Sequence, residues 1–458
     1  MTVKTNKISD NEIPRERSQA VITEDVRGQL GVGSKSGVNY TLDAIQEVPN
    51  EWILSRIKFW FQTIAGGTPS VDNDSFWDDA GLPWLTIGDM SKIDVVRSTT
   101  RGVSQSGIAS KSLPIGEPGT IVFAMYASIG EVAELGVHAS WNQAILGFSP
   151  NNKQCSPSFL KYWLKAIRNI LPKYYRITTQ SNLNAQDVQN LPLLVPPISV
   201  QSQIVSYLDN ETSRIDELTG ELEHQKSLLQ ERRQAVITEA VAGNIESAQF
   251  TTLGVKQKRL KHCCIIVGEY GLNISSESYL RNGIRLIRIS DILENGRLTP
   301  DCNGVYVDDE SEVRGLYLEP GDLLFSRSGT IGRSFLVGQL NVPATFAGYL
   351  VRFRVKPEYD PTFIYYVSLS KQFREQIDLD SIQSVIRNFN ANKFANLLIP
   401  IFDLHTQRQV VSYLDKETSR IDELISEIDN QISLLKERRQ ALITAAVTGQ
   451  IDVSRMVA

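Results

Sequence analysis

The chain has 458 residues, of which 41% are hydrophobic and 22% charged, and its formal net charge is −5. This length allows two or three domains with cores of their own. No apolar run approaches the length of a membrane span, and the polar N-terminus predicts no signal peptide. The negative charge argues against a protein that simply coats nucleic acid, although it leaves room for a local basic face. The four cysteines show no CxxC spacing, so we expect a reducing, cytoplasmic setting: Cys155, Cys263, Cys264 and Cys302.

Residues 1–39 predict a polar tail that contains a partial repeat. The segment 17–30, RSQAVITEDVRGQL, matches 232–245 and 438–451 further along the chain. Because the last part of the repeated unit also stands near the start, the repeat is arranged circularly. We therefore expect 17–30 to pack near the long helices described below, with a flexible linker after it.

Residues 40–195 form the first of two larger blocks. A turn is predicted at GGTPS (66–70), and short strands are predicted at 84–87, 121–125 and 142–148. An amphipathic helix with proline at its start follows at 157–170. Short strands mixed with helices predict an α/β or α+β domain.

The strongest basic signal of this block lies at 161–176, KYWLKAIRNILPKYYR. Three cations at helical spacing predict one cationic ridge that makes salt-dependent phosphate contacts, and the amides that follow can pair with adenine edges. The alternative is a solvated helix face without a ligand. The candidate DNA-binding residues are Lys161, Lys165, Arg168, Lys173, Tyr174, Arg176, Gln180, Asn182 and Asn184.

The segment 199–245, within a predicted helical region 196–250, returns at 405–451 within 400–458 and is identical at most positions. Apolar residues recur every seven positions, which is the spacing of a coiled coil, and the matching stripes predict that the two helices pair. Gln225, Arg232, Gln431 and Arg438 interrupt the second seam position, beside Leu218 and Leu424. We expect these polar residues to set the register or to face a docked subunit. The predicted seam consists of Leu208, Ile215, Leu222, Leu229, Val236, Leu414, Ile421, Ile428, Leu435 and Leu442.

Residues 251–399 form the second block, which repeats the order of the first. EPGDLLFSRSGTIG at 319–332 corresponds to EPGTIVFAMYASIG at 117–130, while most side chains between the matching turns differ. A shared scaffold with a varied surface is expected of two recognition modules, or of a duplication that has drifted. Arginine is the commonest reader of guanine. The candidate DNA-binding residues are Arg285, Arg288, Arg327, Ser328, Thr330, Arg333, Arg387, Asn388 and Asn390.

Catalytic and metal-binding motifs are missing from the sequence. It contains no phosphate loop, no GxSxG, no HExxH and no zinc-type cysteine pair, and its four histidines are scattered. We therefore predict that this chain has no metal site, binds no cofactor and is not an enzyme by itself.

Two variable blocks, each followed by a helix carrying SYLD, ETSRIDEL and ERRQA, resemble the specificity subunit of type I restriction–modification systems. The segments 66–70 and 321–333 also match that family, and the resemblance covers 17–451. Block one departs from the family at Met125 and Ser128, where Arg and Thr are usual.

The resemblance implies two similar α/β target recognition domains separated by a long antiparallel two-helix coiled coil, in a pseudo-two-fold circular arrangement. Each domain would read one half of a bipartite site on double-stranded DNA, and the helices would set the spacer and dock two methyltransferase subunits. Restriction (translocase) subunits would join them, with S-adenosylmethionine, ATP and magnesium on the partners and none on this chain. Two rivals stay open: a two-headed structural adaptor that binds proteins, and an enzyme with an unrecognised site.

Overall fold

The computed structural model describes residues 49, 51–91, 93–174, 182–244, 255–293, 298–308, 313, 315–381 and 389–453. It divides into two compact units. Unit 1 comprises the described residues up to Gly220 and those from Gln431 onward, and unit 2 comprises Glu221–Asn430. The predicted partial repeat at 17–30 lies outside the described residues.

Two long helices account for the repeated segment. Helix α6 spans Ile198–Ala242 and helix α10 spans Leu404–Val447, and each contributes residues to both units. Beyond each helix a glycine adopts positive φ, +85° at Gly243 and +73° at Gly449. The residue after each glycine donates its N–H to a carbonyl of the last turn. These are glycine C-caps, and only glycine adopts that conformation at low cost.

The domain of unit 1 is a mixed α/β fold. Its strands form a five-stranded sheet in the order β2-β9-β6-β7-β4, a three-stranded sheet in the order β5-β3-β8, and the antiparallel pair β1-β10. The pair joins the start of the domain to the strand that precedes α6. The strands are β1 (Ile53–Arg56), β2 (Phe61–Ala65), β3 (Trp77–Leu85), β4 (Val95–Val96), β5 (Arg101–Val103), β6 (Ile121–Ala124), β7 (Val132–Leu135), β8 (Ser140–Trp141), β9 (Ile145–Pro150) and β10 (Pro192–Val195).

Helix α4 is central to the core of unit 1, because it buries Phe159 and Trp163 against the large sheet. The same core takes Leu208 from the first part of α6 and Ile443 from the last part of α10. Burying each such side chain contributes roughly 1.5–3 kcal/mol, so the domain is firmly attached to both helices. The short helices of this domain are α1 (Ile57–Trp60), α2 (Ile87–Met90), α3 (Gln105–Lys111), α4 (Pro157–Ala166) and α5 (Ala185–Gln189).

Unit 2 repeats this plan. Its sheets have the orders β12-β18-β15-β16 and β14-β13-β17, and the antiparallel pair β11-β19 again precedes a long helix. Its core takes Val241 from the end of α6 and Leu414 from the start of α10. The elements are β11 (Lys256–Arg259), β12 (Cys264–Tyr270), β13 (Ile284–Ile287), β14 (Val305–Val307), β15 (Asp322–Ser326), β16 (Ser334–Leu336), β17 (Ala344–Phe346), β18 (Leu350–Val355), α7 (Pro361–Leu369), α8 (Lys371–Ser381), α9 (Ala391–Asn396) and β19 (Leu398–Ile401).

Within unit 2 the two long helices run antiparallel. Lys226 bonds Asp429 at 2.6 Å, and seven residues later Arg233 bonds Asp422 at 2.8 Å. The residue numbers therefore rise along α6 where they fall along α10. In unit 1 Arg439 bonds Asp216 at 2.9 Å. Arg233 and Arg439 hold equivalent places in the two copies of the repeat. The same kind of ion pair therefore joins α6 and α10 within each unit.

The first row of predicted seam residues is either buried or half-buried. Leu208, Ile215, Leu414, Ile421 and Ile428 are buried, and Leu222, Leu229, Val236, Leu435 and Leu442 are half-buried.

The expected position of the second seam row is wrong. Leu218 and Leu424 are 42% and 43% exposed, and the four polar residues in their row are exposed as well. The row that turns inward lies four residues after the first row, not three, and includes the buried Thr212 and Thr418. It also includes Arg233 and Arg439. An α-helix has 3.6 residues per turn, so either row could flank the stripe, and the packing of the domains selects one.

Among the described residues, no helix combines the length and the apolar character that crossing a membrane requires.

Candidate nucleic-acid interface

The α/β domain of each unit is bonded to the first turns of the long helix that follows it. In unit 1 the Tyr162 hydroxyl donates to Asp209 Oδ1 at 2.6 Å, and Thr212 Oγ1 lies 3.4 Å from it. The fully buried Gln201 accepts a hydrogen bond from the backbone N–H of Ser156 at 2.8 Å. Burial and the Asp209 carboxylate raise the pKa of the Tyr162 hydroxyl, so it stays protonated and remains a donor.

Unit 2 repeats these contacts at the equivalent positions. Tyr366 donates to Asp415 Oδ1 at 2.6 Å, and Thr418 Oγ1 lies 3.2 Å away. Gln407, fully buried, accepts from the backbone N–H of Asp360 at 2.8 Å. Buried polar groups that are all satisfied fix one arrangement of the elements that carry them. Each domain is therefore held rigidly on the helix that follows it.

The other long helix is bonded to each domain as well. Gln440 of α10 donates to the carbonyl of Lys165 at 3.2 Å in unit 1, and Gln234 of α6 donates to the carbonyl of Leu369 at 2.7 Å in unit 2. Gln234 and Gln440 are equivalent in the repeat. Both helices consequently take part in positioning each recognition domain.

The predicted cationic ridge of block one is wrong, because its charges are used inside the domain. Lys161 is only 7% exposed and bonds Glu134 at 2.8 Å, and Lys165 bonds Asp94 at 2.6 Å. Arg168 bonds Glu131 at 2.8 Å. Helix spacing placed the three cations on one face correctly, but that face meets acidic residues beside β4 and β7.

Asp94 is the centre of this charge cluster and was missed by the sequence reasoning. Its second carboxylate oxygen accepts from Arg439 of α10 at 3.2 Å. Burial raises the pKa of the Asp94 carboxyl, but Lys165 and Arg439 outweigh that effect and hold the pKa below its ordinary value of 3.8. Burial also lowers the pKa of Lys165. Asp94 therefore connects the recognition domain to the long helices within unit 1.

The remaining candidates of block one differ in their exposure and in their contacts. Asn184 caps helix α5 by accepting from the N–H of Asp187 at 2.8 Å, which occupies its amide oxygen. Tyr174 packs against the core of unit 1, and Lys173 is exposed while Asn182 is half-buried. Arg176 and Gln180 lie outside the described residues.

Most candidate arginines of block two also have partners within the domain. Arg285 is 3% exposed and pairs with Asp301. Arg288 bonds Asp291 at 2.8 Å, and Arg333 donates to the carbonyl of Ile292 at 3.0 Å. These side chains brace their own loops, because a buried guanidinium needs acceptors.

Two further arginines meet one buried carboxylate in unit 2. Arg354 bonds Asp322 at 2.6 Å, and Arg352 lies 3.7 Å from the same carboxylate, which is fully buried. Arg352 and Arg354 stand at alternate positions of one strand and face the same side of it, where they meet the acidic residues of the domain.

Arg327 is the exception among the arginines of the candidate set that the structure describes. Its Nε is buried and has no hydrogen-bond partner among the described residues, and its guanidinium lies 4.8 Å from the ring centroid of Tyr270. It begins the turn in which Gly329 and Gly332 adopt positive φ. Thr330 at the tip is exposed and Ser328 is half-buried.

Asn390 caps α9 by accepting from the N–H of Lys393 at 3.0 Å, as Asn184 does in unit 1. Arg387 and Asn388 lie outside the described residues. Among the described residues no group of three or more His, Cys, Asp or Glu could hold a metal ion. Cys155, Cys263 and Cys264 are free and buried.

The family model for the type I restriction modification DNA specificity domain matches this chain twice, at residues 49–226 and 254–434. The chain belongs to this family. As a member with two specificity domains, it serves as the DNA-specificity subunit of a type I restriction–modification system. This confirms the resemblance. It does not support the alternative of a structural adaptor that binds proteins.

The two relatives described next are distant from this chain in sequence. The chain is 21% identical to the EcoBI specificity subunit of Escherichia coli over 337 residues, covering 68% of this chain and 69% of that one. It is 21% identical to the StySPI specificity subunit of Salmonella potsdam over 332 residues, covering 67% and 68%. One solved structure that matches concerns the assembly and conformational transition of the type I R-M system. A chain of that structure matches this fold with a TM-score of 0.67. The identity is 17%, and the match covers 88% of this chain and all of that one, which supports the shared fold.

Proposed function

We propose that each recognition domain reads one half of a bipartite DNA site and that α6 and α10 set the spacer between the halves. The observation that carries this proposal is the repeated attachment of each domain to both long helices. Tyr162 and Gln440 bond the domain of unit 1, and Tyr366 and Gln234 bond that of unit 2. Two readers fixed to continuous helices give a defined half-site spacing.

The partners and cofactors follow from the same proposal. Two methyltransferase subunits dock along the helices, restriction subunits join them, and the complex works in the cytoplasm. S-adenosylmethionine, ATP and magnesium bind those partners, and this chain contributes no catalytic group. The domain boundaries at 40–195 and 251–399 belong to this proposal too. The solved chain that shares this fold comes from a type I R-M system, which supports the proposed partners.

A heptad insertion tests the spacer. Seven residues placed after Gly220 and seven after Asn430 preserve the phase of the seam and add about 10 Å to each helix. Since one base pair rises 3.4 Å, the spacer of the methylated motif should lengthen by a few base pairs while both half-sites stay the same. Sequencing the methylated bases of cells that carry the complex gives the motif. An unchanged spacer contradicts the proposal.

A matched control is an insertion in only one helix, which breaks the pairing of α6 with α10. It should abolish methylation instead of changing the spacer. Loss of the bipartite motif on deletion of the chain tests the function as a whole, and a methylome that does not change would contradict it. Assaying the purified chain alone for methyl transfer and DNA cleavage tests the absence of catalysis.

A further inference from the structure

We propose that Arg101, stacked on Trp77, reads a guanine in the half-site of the first recognition domain. The inference rests on the proposed function. It begins from the finding that the cations of α4 are paired within the domain, which leaves the other cations of this domain as candidates for contact with the DNA bases. Arg101 was not selected by the sequence reasoning.

The guanidinium of Arg101 lies over the ring of Trp77 at van der Waals distance, with 3.9 Å between Cζ and the ring centroid. Contact with an indole face is the strongest cation–π arrangement. Arg101 is half-buried, and among the described residues its side chain has no acceptor or carboxylate partner. Its donors are therefore unused within the described part of the chain, while the indole holds the group in place.

The platform beneath Arg101 is itself rigid. Trp77 Nε1 donates to the carbonyl of Ser70 at 3.1 Å, and Trp84 Nε1 donates to the carbonyl of Gly67 at 3.1 Å. The two indoles meet edge to face with their centroids 4.9 Å apart. The turn at 66–70 and the two tryptophans thus support one another, and the guanidinium rests on this assembly.

The backbone of Arg101 is held as well. It belongs to β5, where it pairs with Trp84 of β3, and its carbonyl accepts from Thr99 Oγ1 at 2.7 Å. A reading group on a strand and a fixed ring is placed more accurately than one on a free loop. A planar guanidinium offers the pair of donors that guanine O6 and N7 accept.

The equivalent place in the second domain differs, as a position that determines specificity should. The segment 285–292 corresponds to 83–90, so that Leu286 stands where Trp84 is. In the register of the sheet Leu286 pairs with Val305, where Trp84 pairs with Arg101. The shared scaffold therefore presents a stacked cation in one domain and aliphatic side chains in the other, so the two half-sites should differ here.

The experiment uses the full chain with its methyltransferase partners and reads the methylated motif together with the binding of duplexes carrying single substitutions. Arg101→Lys keeps the charge and loses the planar pair of donors. It should relax one G·C position in one half-site, with discrimination falling roughly 5- to 150-fold, and should leave the other half-site and the spacer unchanged. Arg97→Gln is the matched control, because Arg97 is exposed and stacks on no ring within the part of the chain that the structure describes. It should leave the motif intact.

Two Trp77 variants test whether the ring beneath Arg101 is needed for reading the base or only for the stability of the fold. Trp77→Phe keeps a ring beneath Arg101 and should keep the motif, whereas Trp77→Leu removes the ring and should relax the same position as Arg101→Lys. If Arg101→Lys keeps full specificity, or changes only thermal stability or affinity, the inference is overturned. A wild-type complex without any bipartite motif would instead overturn the proposed function, so the two failures are distinguishable.

Discussion

Tyr366 donates a 2.6 Å hydrogen bond to Asp415, and the same bond joins Tyr162 to Asp209 in the other half of the chain. In each case the tyrosine lies on a helix of a recognition domain and the aspartate on the long helix that follows it. The two bonds were formed by residues in different blocks, yet their geometry is the same. This agreement shows that each domain is attached to its helix in one defined way.

Replacing either tyrosine by phenylalanine should loosen only its own attachment. Tyr162→Phe removes one hydrogen bond and should cost about 1–2 kcal/mol of stability, because the packing of the ring is kept. Hydrogen exchange should speed up at α4 and the start of α6 and stay unchanged at α7. Tyr366→Phe is the matched variant and should show the reverse pattern. Equal effects of both variants in both regions would contradict the prediction.

The Asp94 cluster predicts a pH-dependent contribution to the stability of unit 1. Because the pKa of Asp94 is depressed in the folded chain, its contribution is complete above the ordinary value of 3.8 and is lost as the pH falls through the depressed value. Asp94 is 45% exposed, so the effect should stay below about 1 kcal/mol. Denaturant unfolding of wild type and Asp94→Asn should differ at pH 7, and the difference should shrink as the pH falls below 3.8. The exposed Asp72 offers a control, since Asp72→Asn should not change the pH dependence of stability. If the stability difference between wild type and Asp94→Asn is the same at every pH, this role of Asp94 is excluded.

The ion pair between Arg233 and Asp422 should respond to charge reversal as a unit. Arg233→Glu alone places like charges together, and adding Asp422→Arg should restore the lost stability, with a coupling of about 0.2–1 kcal/mol. The corresponding double reversal of Arg439 and Asp216 should restore less, because Asp94 also bonds Arg439. Double-mutant cycles by denaturant unfolding measure both couplings. Equal restoration of the two pairs would show that Asp94 contributes nothing to its pair.

Arg327 should contact a phosphate of the DNA backbone. Burial of its Nε leaves the terminal amino groups as the accessible donors, which suits a phosphate oxygen. Arg327→Gln should weaken binding by the methyltransferase complex equally for all sequences and reduce the slope of log affinity against log salt by about one. Arg374→Gln, which also removes an exposed arginine of unit 2, is the control. A relaxed base position in either half-site would contradict this assignment.

The sequence alone determined the large features of this protein. The repeated helix with its seven-residue stripe, the glycines that end it and the two parallel series of turns each follow from local chemistry. Period and capping depend on neighbouring residues only, so Leu208 and Leu414 could be placed in a helical seam without the fold.

Tertiary structure decided what those features contact. Whether Thr212 or Leu218 is buried depends on the domain that packs against the helix, because helical periodicity permits either row. Whether Lys165 faces DNA or Asp94 depends on a carboxylate far away in the chain. The same holds for Arg101, whose stacking on Trp77 requires two strands to lie side by side. Charge and exposure are properties of such long-range neighbours, and therefore only the folded chain reveals which cations are already neutralised.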